Sequence, residues 1–301
     1  MARSLLRVCA TAVIIVCASF APAAAHGVVG ARFFPATLST DDPFAADELA
    51  LPTISVFRHL DDGAPATESE YSMEYSKTLW RGVSLSFEEA FIHAAPSGGP
   101  AVSGFDNLAL TPIVEIARSA EHEFIASAAL TWEIGGTGSR SIGAERASAF
   151  TPALNFGKGF GDLSGSMAFL RPLAITGTIG YRIPGHGGDP HVLQWSGAIE
   201  YSLAYLQTNV RDVGLCGIAA HLTPVVEFAL SSPLDHHGGK TTGTINPGLI
   251  WTGQSVQLGA EAILPVNGAT GSDVGFIAQL HFYIDDVFPT TLGSPLFGSH
   301  P

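Results

Sequence analysis

The chain of 301 residues is 46% hydrophobic and only 14% charged, and its formal net charge is −13 at pH 7. Charged residues make up about a quarter of a typical soluble domain, so this composition argues against an ordinary soluble export protein. The acidic balance also argues against nucleic acid as a partner.

Residues 1–25 are predicted to be a secretory signal peptide that is cleaved after Ala25. Arg3 and Arg7 precede an apolar stretch, and the segment ends on three alanines. Loss of the two arginines takes the formal charge from −13 to −15. The predicted localisation is therefore the outer membrane of a bacterial cell, provided that the exported chain is a membrane protein.

A lipoprotein anchor at Cys17 is the competing interpretation of this leader. The large side chain of Val16 disfavours it, because a small residue normally precedes a lipidated cysteine. Of the three cysteines, only Cys216 then remains in the exported chain. No disulfide framework is possible within one chain.

Residues 26–50 and 285–301 flank the central region and carry closely matching motifs, Phe-Pro-Ala-Thr-Leu and Phe-Pro-Thr-Thr-Leu. We expect the first segment to lie in the periplasm or to plug a lumen, and the second to form a periplasmic tail. Untied termini are often disordered, but the aromatic content of both segments favours ordered packing.

Residues 51–284 alternate apolar with small or polar residues in short segments separated by Gly, Pro, Asp and Asn. Successive side chains of a strand point to opposite faces, so each segment has one apolar face. After residue 25 no uninterrupted apolar run reaches the roughly 18 residues of a spanning helix. A membrane chain without such helices must close its strands into a barrel, because every backbone polar group has to be paired in hydrocarbon.

The predicted fold class is therefore all-β, a transmembrane antiparallel up-and-down β-barrel of about twelve strands, with ten or fourteen as competing counts. A soluble β-sandwich is the alternative, but it would have shorter strands and a more charged outer face. Several aromatic residues fall near segment ends, as interfacial girdles would: Trp132, Trp195, Tyr205, Trp251 and Phe282. The strands are expected to begin near Leu51, Thr67, Gly82, Asn107, Glu121, Ala149, Arg171, Val192, Gly217, Thr241, Ser255 and Ser272.

A six-residue motif recurs in several predicted strands and indicates that these strands are built alike. Leu-Thr-Pro-Ile-Val-Glu, which ends at Glu115, recurs as Leu-Thr-Pro-Val-Val-Glu, which ends at Glu227, and weaker copies surround Pro152 and Pro247. Proline cannot donate a hydrogen bond to a neighbouring strand, so it belongs at strand starts or bulges. We interpret the repeat as a way of entering a strand rather than as a ligand-binding motif.

The polar faces carry the candidate functional residues. One glutamate per strand, on seven of the strands, lies in phase with small or polar neighbours, and Gln279 and His281 share that phase on the last strand. If the barrel closes, these side chains point into an acidic lumen and become candidate contacts for a solute: Glu74, Glu88, Glu115, Glu133, Glu200, Glu227 and Glu261, with Gln279 and His281. Two interpretations stay open. The acids could form ion pairs with Arg58, Lys77, Arg171 and Arg182 that fill the lumen of a narrow barrel. They could instead line a pore that favours cations and neutral solutes over anions.

Histidines give no metal centre. His26, His236 and His237 are weak candidates, because neutral imidazole is a common ligand, but no ligand spacing such as HExxH accompanies them. Cleavage after Ala25 would make His26 the first residue, as in secreted copper oxygenases. We regard that activity as a remote alternative, since those enzymes are soluble β-sandwiches. We expect neither a cofactor nor an enzymatic activity, because no GxSxG motif is present either.

Several of these motifs resemble outer-membrane transporter barrels of the family named after the MetA protein of phenol-degradation pathways. They are His26-Gly27, Phe-Phe-Pro-Ala-Thr-Leu with Asp-Asp-Pro, the Thr-Pro strand entries and the final Ala-Gln-Leu-His-Phe. The resemblance implies an outer-membrane barrel that passes small solutes, with aromatic or hydrophobic compounds as one class. It supplies no catalytic residues.

The leading prediction is an outer-membrane channel or transporter for small solutes. Its partners would be outer-membrane lipid, the barrel-assembly machinery and the solute. The alternative is a structural or adhesive barrel that conducts nothing and binds a partner through its loops.

Overall fold

The computed structural model describes residues 27–61, 64–235 and 239–298. The predicted signal peptide and His26, His236 and His237 lie outside these residues. The strands in chain order are β1 (Val28–Val29), β2 (Arg32–Phe33), β3 (Glu48–Asp61), β4 (Ala64–Trp80), β5 (Val83–Pro96), β6 (Val102–Phe105), β7 (Ala109–Ser119), β8 (Phe124–Glu133), β9 (Ala149–Gly159), β10 (Leu173–Arg182), β11 (Val192–Tyr201), β12 (Leu222–Pro233), β13 (Thr242–Thr252), β14 (Val256–Pro265) and β15 (Gly275–Tyr283).

Twelve of these strands form one closed antiparallel barrel. Each barrel strand pairs with its sequence neighbour, β5 pairs with β7 past the short β6, and β15 closes the barrel against β3. The predicted all-β barrel of twelve strands is confirmed. No helix in the described part of the chain has both the length and the apolar character needed to cross a bilayer.

The two ends of the barrel differ. We call the end where β3 begins and β15 ends the proximal mouth, and the opposite end the distal mouth. Two long connections, 160–172 and 202–221, lie at the proximal mouth and contain the short helical segments Gly165–Leu170, Leu203–Tyr205, Leu206–Val210 and Gly217–His221. A helical segment, Ile284–Val287, also follows β15 there.

The outer wall is apolar along its length. Large apolar side chains point outward from the middle of several strands, among them Leu154 of β9 and Leu249 of β13, which are 58% and 50% exposed. Aromatic residues gather toward the distal ends of neighbouring strands, where Trp132 stacks on Phe150 with ring centroids 6.1 Å apart. Trp195, near the distal end of β11, contacts Phe228 in the middle of β12 at 5.7 Å between ring centroids. This pattern matches the alternation predicted from the sequence.

Two strand predictions near the proximal mouth are wrong. The strand that begins near Val192 was expected to reach Tyr205, but β11 ends at Tyr201. Ser202 accepts a hydrogen bond from the backbone N–H of Tyr205 (3.1 Å) and caps a helical turn instead. Tyr205 is therefore buried, 8% exposed, and does not join an aromatic girdle.

The other correction concerns β12. It was expected to start near Gly217, but residues 217–221 form a helical turn and the strand begins at Leu222. Pro112, Pro152 and Pro224 fall within the first four residues of their strands. Pro247 lies inside β13, where the pairing with β14 is interrupted at residues 246 and 247.

Candidate functional site

The segment before the first barrel strand lies inside the barrel. We call residues 27–47 the plug segment. Gln257 of β14 donates to the carbonyl of Ala36 (2.7 Å), and Asn246 of β13 donates to the hydroxyl of Ser39 (2.8 Å). On another side of the wall, Thr178 of β10 donates to the carbonyl of Asp41 (3.4 Å). Contacts with strands around the circumference place the segment in the lumen.

Glu227 is the strongest anchor of the plug segment. Its carboxylate accepts the backbone N–H groups of Leu38 (2.7 Å) and Ser39 (2.8 Å), and its side chain is completely buried. The side chain of Leu38 lies over Gly259, where a Cβ atom would come within 2.5 Å of it. A glutamate predicted to contact solute therefore binds the chain's own backbone.

A second anchor, which we call the Arg32 latch, binds the plug segment to three connections between strands at the proximal mouth. Arg32 is 1% exposed. Its guanidinium pairs with Glu123 in the β7–β8 turn (3.2 Å) and donates to the carbonyls of Arg171 and Pro172 in the β9–β10 connection, the latter at 2.9 Å. It also lies 3.8 Å from the ring centre of Tyr205 in the β11–β12 connection.

The latch holds one strained residue. Glu123 has a φ of +46°, a left-handed conformation that non-glycine residues rarely adopt. Its carboxylate accepts hydrogen bonds from Tyr205 (2.8 Å) and from the backbone of Gly161 (3.0 Å) in addition to Arg32. Burial and the bond to Glu123 raise the pKa of Tyr205 to about 12, so its hydroxyl stays protonated and donates at neutral pH.

Beyond the plug segment the lumen holds two adjoining cavities of about 300 Å³ each. Ser39, Asp41, Glu88 and Thr131 line both cavities, so the space continues from the tip of the plug segment toward the distal mouth. The first cavity is bordered by six carboxylates, from Asp41, Asp42, Glu48, Glu70, Glu74 and Glu88. Among the described residues that line the two cavities there is no lysine or arginine.

The residues predicted from the sequence fall into three groups. Glu74, Glu88, Gln279 and His281 line the first cavity, and Gln279 also donates to Thr53 (3.1 Å). Glu200, Glu227 and Glu261 are almost fully buried, at 2%, 0% and 4% exposure. Glu115 and Glu133 are paired with arginines.

Ion pairs with arginine involve only two of the seven glutamates that were predicted to line the lumen. Arg182 binds Glu133 (2.7 Å) and Glu145 (3.2 Å), and Arg118 binds Glu115 (3.2 Å). Three other predicted counter-charges lie elsewhere. Lys77 binds Asp47 (2.5 Å) at the proximal mouth, Arg171 donates to the carbonyl of Leu163 in a turn, and Arg58 lies 3.6 Å from Asp273 near the distal mouth.

Sequence reasoning missed several residues that border the first cavity. Glu48 and Glu70 point into the barrel as Glu74 does. The same alternation of side chains, read along the whole of β3 and β4, would have identified them. Asn155 occupies the position in its copy of the Thr-Pro repeat that Glu115 and Glu227 occupy in theirs, and it lines the cavity. Asp41 and Asp42 line it because the plug segment folds inward, which the sequence left open.

The described residues contain no group of three or more His, Cys, Asp or Glu side chains arranged to hold a metal ion. Cys216 is free and exposed in the β11–β12 connection.

No protein-family model matches this chain, and no curated protein matches it either. The resemblance to the MetA-like family therefore remains a prediction. Among solved structures, an outer-membrane channel from Pseudomonas putida F1 aligns with a TM-score of 0.49 at 12% identity, over 83% of this chain and 99% of that one. The KdgM porin aligns at 0.45 and 11% identity, over 76% and 98%, and the NanC porin at 0.45 and 10% identity, over 77% and 98%.

Proposed function

We propose that this protein is an outer-membrane channel for small polar solutes, that it prefers cations and uncharged solutes over anions, and that the plug segment gates it. The observation that carries the proposal is the acidic, arginine-free and lysine-free lining of the two cavities within a barrel whose outer wall is apolar. Each part of the proposal has its own physical support.

The apolar outer wall supports a membrane location. Side chains such as Leu154, Ile179 and Leu249 would each expose apolar surface to water in a soluble protein. In a bilayer the same surface faces hydrocarbon, and each of the twelve described barrel strands pairs with a neighbour on both sides. We assign the proximal mouth to the periplasm, because the first barrel strand begins there and the last one ends there, and in bacterial barrels with an even number of strands these two strand ends face the periplasm.

The lining supports the preference for cations. Fixed carboxylates raise the electrostatic barrier to anions and lower it for cations, and the low dielectric of the barrel wall strengthens the effect. Serine and threonine side chains between the acids supply hydrogen bonds to a polar solute. Because the lining is polar, we propose polar solutes rather than the aromatic or hydrophobic compounds that the family resemblance implies.

A non-conducting structural barrel is the second candidate. The observation in its favour is the anchoring of the plug segment, by Glu227 inside the barrel and by the Arg32 latch at the proximal mouth. A channel with such a plug should conduct little until the segment moves.

Planar-bilayer recording in a potassium chloride gradient tests the proposal. We expect small conductance events with a reversal potential that shows cation preference. Glu88→Gln should reduce that preference, because Glu88 borders both cavities. Asp189→Asn removes the same charge from an exposed position in the β10–β11 loop and should leave it unchanged. Anion preference, or absence of conductance even after removal of the plug segment, would contradict the proposal.

A further inference from the structure

The first cavity contains an unusual pair of like charges. Glu74 of β4 and Glu88 of β5 are direct cross-strand partners, and both line the cavity. Like charges placed opposite each other destabilise a sheet. Among the described residues no lysine or arginine lies within ion-pair distance of either carboxylate. Asp41 of the plug segment lines the same space and adds a third acid.

Buried polar atoms without partners line this cavity as well. Asn155 is 2% exposed, and neither its amide oxygen nor its amide nitrogen has a hydrogen-bond partner. Buried polar groups are nearly always hydrogen-bonded. The cavity therefore offers both negative charge and free hydrogen-bonding groups to an occupant.

The arrangement favours an organic cation over a metal ion. The described carboxylates do not converge in a group that could hold a metal. Ammonium groups tolerate a spread-out set of acids, since each one donates up to three hydrogen bonds in different directions. A volume of about 300 Å³ is at the lower end of the range for small-molecule sites, which suits a short aliphatic compound.

We propose that this cavity is a binding site for a small aliphatic amine, whose ammonium groups bind Glu74, Glu88 and Asp41 while Asn155 supplies a further hydrogen bond. The proposal rests on the proposed function, because it names the class of solute that the channel takes up into its lumen. The binding site is a separate claim from the preference for cations, because a pore can prefer cations without binding any of them at a saturable site.

Isothermal titration calorimetry of the full-length protein in detergent tests this site, with 1,4-diaminobutane as the probe. We expect saturable binding of the diamine and none of 1,4-butanediol, which has the same length without charge. The double variant Glu74→Gln with Glu88→Gln should weaken binding at least tenfold. Asn155→Ala should weaken it several-fold, and Asp189→Asn on the exposed loop should leave it unchanged.

Heat-modifiable migration in electrophoresis should verify that each variant is a folded barrel. Absence of saturable diamine binding by the folded wild-type protein would overturn the proposal, as would equal binding of butanediol. Binding of calcium chloride alone with no diamine binding would show a metal site instead. Conductance separates this proposal from the channel itself: a cation-selective pore that binds no diamine refutes only the site, and a diamine-binding barrel that never conducts refutes only the channel.

Discussion

At the residue scale, Glu227 shows how a buried carboxylate can serve a backbone instead of a ligand. It receives two N–H groups from Leu38 and Ser39, at 2.7 and 2.8 Å. Hydrogen bonds to a charged partner contribute about 1.5–3 kcal/mol each. This one side chain therefore fixes the tip of the plug segment near the middle of the barrel.

Glu227→Ala should loosen the plug segment and raise the conductance or the open probability in planar bilayers. Both backbone donors lose their acceptor, and a buried donor without a partner costs about 1–3 kcal/mol. Glu115→Ala is the comparison variant and should have a smaller effect, because Glu115 accepts one long hydrogen bond from the plug segment, from the N–H of Ala45 at 3.4 Å, and otherwise acts through Arg118, which donates to the carbonyl of Val28 (2.7 Å). Equal conductance of Glu227→Ala and wild type would show that this anchor does not hold the plug.

The inward phase of the glutamates could be predicted at this scale, but their individual roles could not. Phase follows from the strict alternation of strand side chains. Whether a given glutamate meets an arginine, a backbone N–H or open space depends on neighbours far apart in the chain. Glu133 and Arg182 are separated by a whole strand, and Glu227 meets a segment 188 residues away.

At the scale of elements, the two terminal segments have similar motifs and different positions. The plug segment enters the lumen, whereas the tail after β15 packs at the rim of the proximal mouth. There Phe297 lies 5.0 Å from Trp80 between ring centroids, and the backbone of Leu296 donates to the carbonyl of Thr78 (3.0 Å). Matching sequence motifs gave no signal for this difference, because the polar partners of each segment lie on distant strands.

Deletion of residues 28–44 should convert the protein into a larger and persistently open pore. The remaining wall is closed by hydrogen bonds between strands and does not depend on the plug segment for its pairing. Single-channel recording should show a several-fold higher conductance than wild type. Deletion of residues 288–298 is the control, because that tail packs at the rim. An unchanged conductance after the first deletion would mean that another part of the chain occludes the lumen.

At the scale of the whole molecule, the fold was predictable because its signal repeats in every strand. Twelve alternating segments, each bounded by turn residues, are consistent with one closed wall, and eleven of the twelve expected starts lie within three residues of the observed ones. The long connections at the proximal mouth were not predictable, since their helical turns interrupt an apolar pattern that continues past the strand end, as at Leu203 and Tyr205.

The apolar wall should also make the barrel intolerant of outward charge. Leu154→Arg, in the middle of β9, should destabilise the folded protein in lipid vesicles by about 2–4 kcal/mol, the cost of a basic side chain near the bilayer midplane. Urea titration followed by tryptophan fluorescence measures this loss. Ala101→Arg, at an exposed loop position beyond the distal mouth, should cost little. Similar stability of both variants would argue against a membrane location.

The position of the plug segment has a consequence for biogenesis. It leads directly into β3, the strand that β15 must find to close the wall, and the carbonyl of Asp47 accepts the N–H of Ile284 (2.9 Å) beside that seam. A chain that sealed the seam first would have to thread some twenty residues into a finished cylinder. We therefore expect the plug segment to take its place before β15 pairs with β3, so that the barrel strands assemble around it.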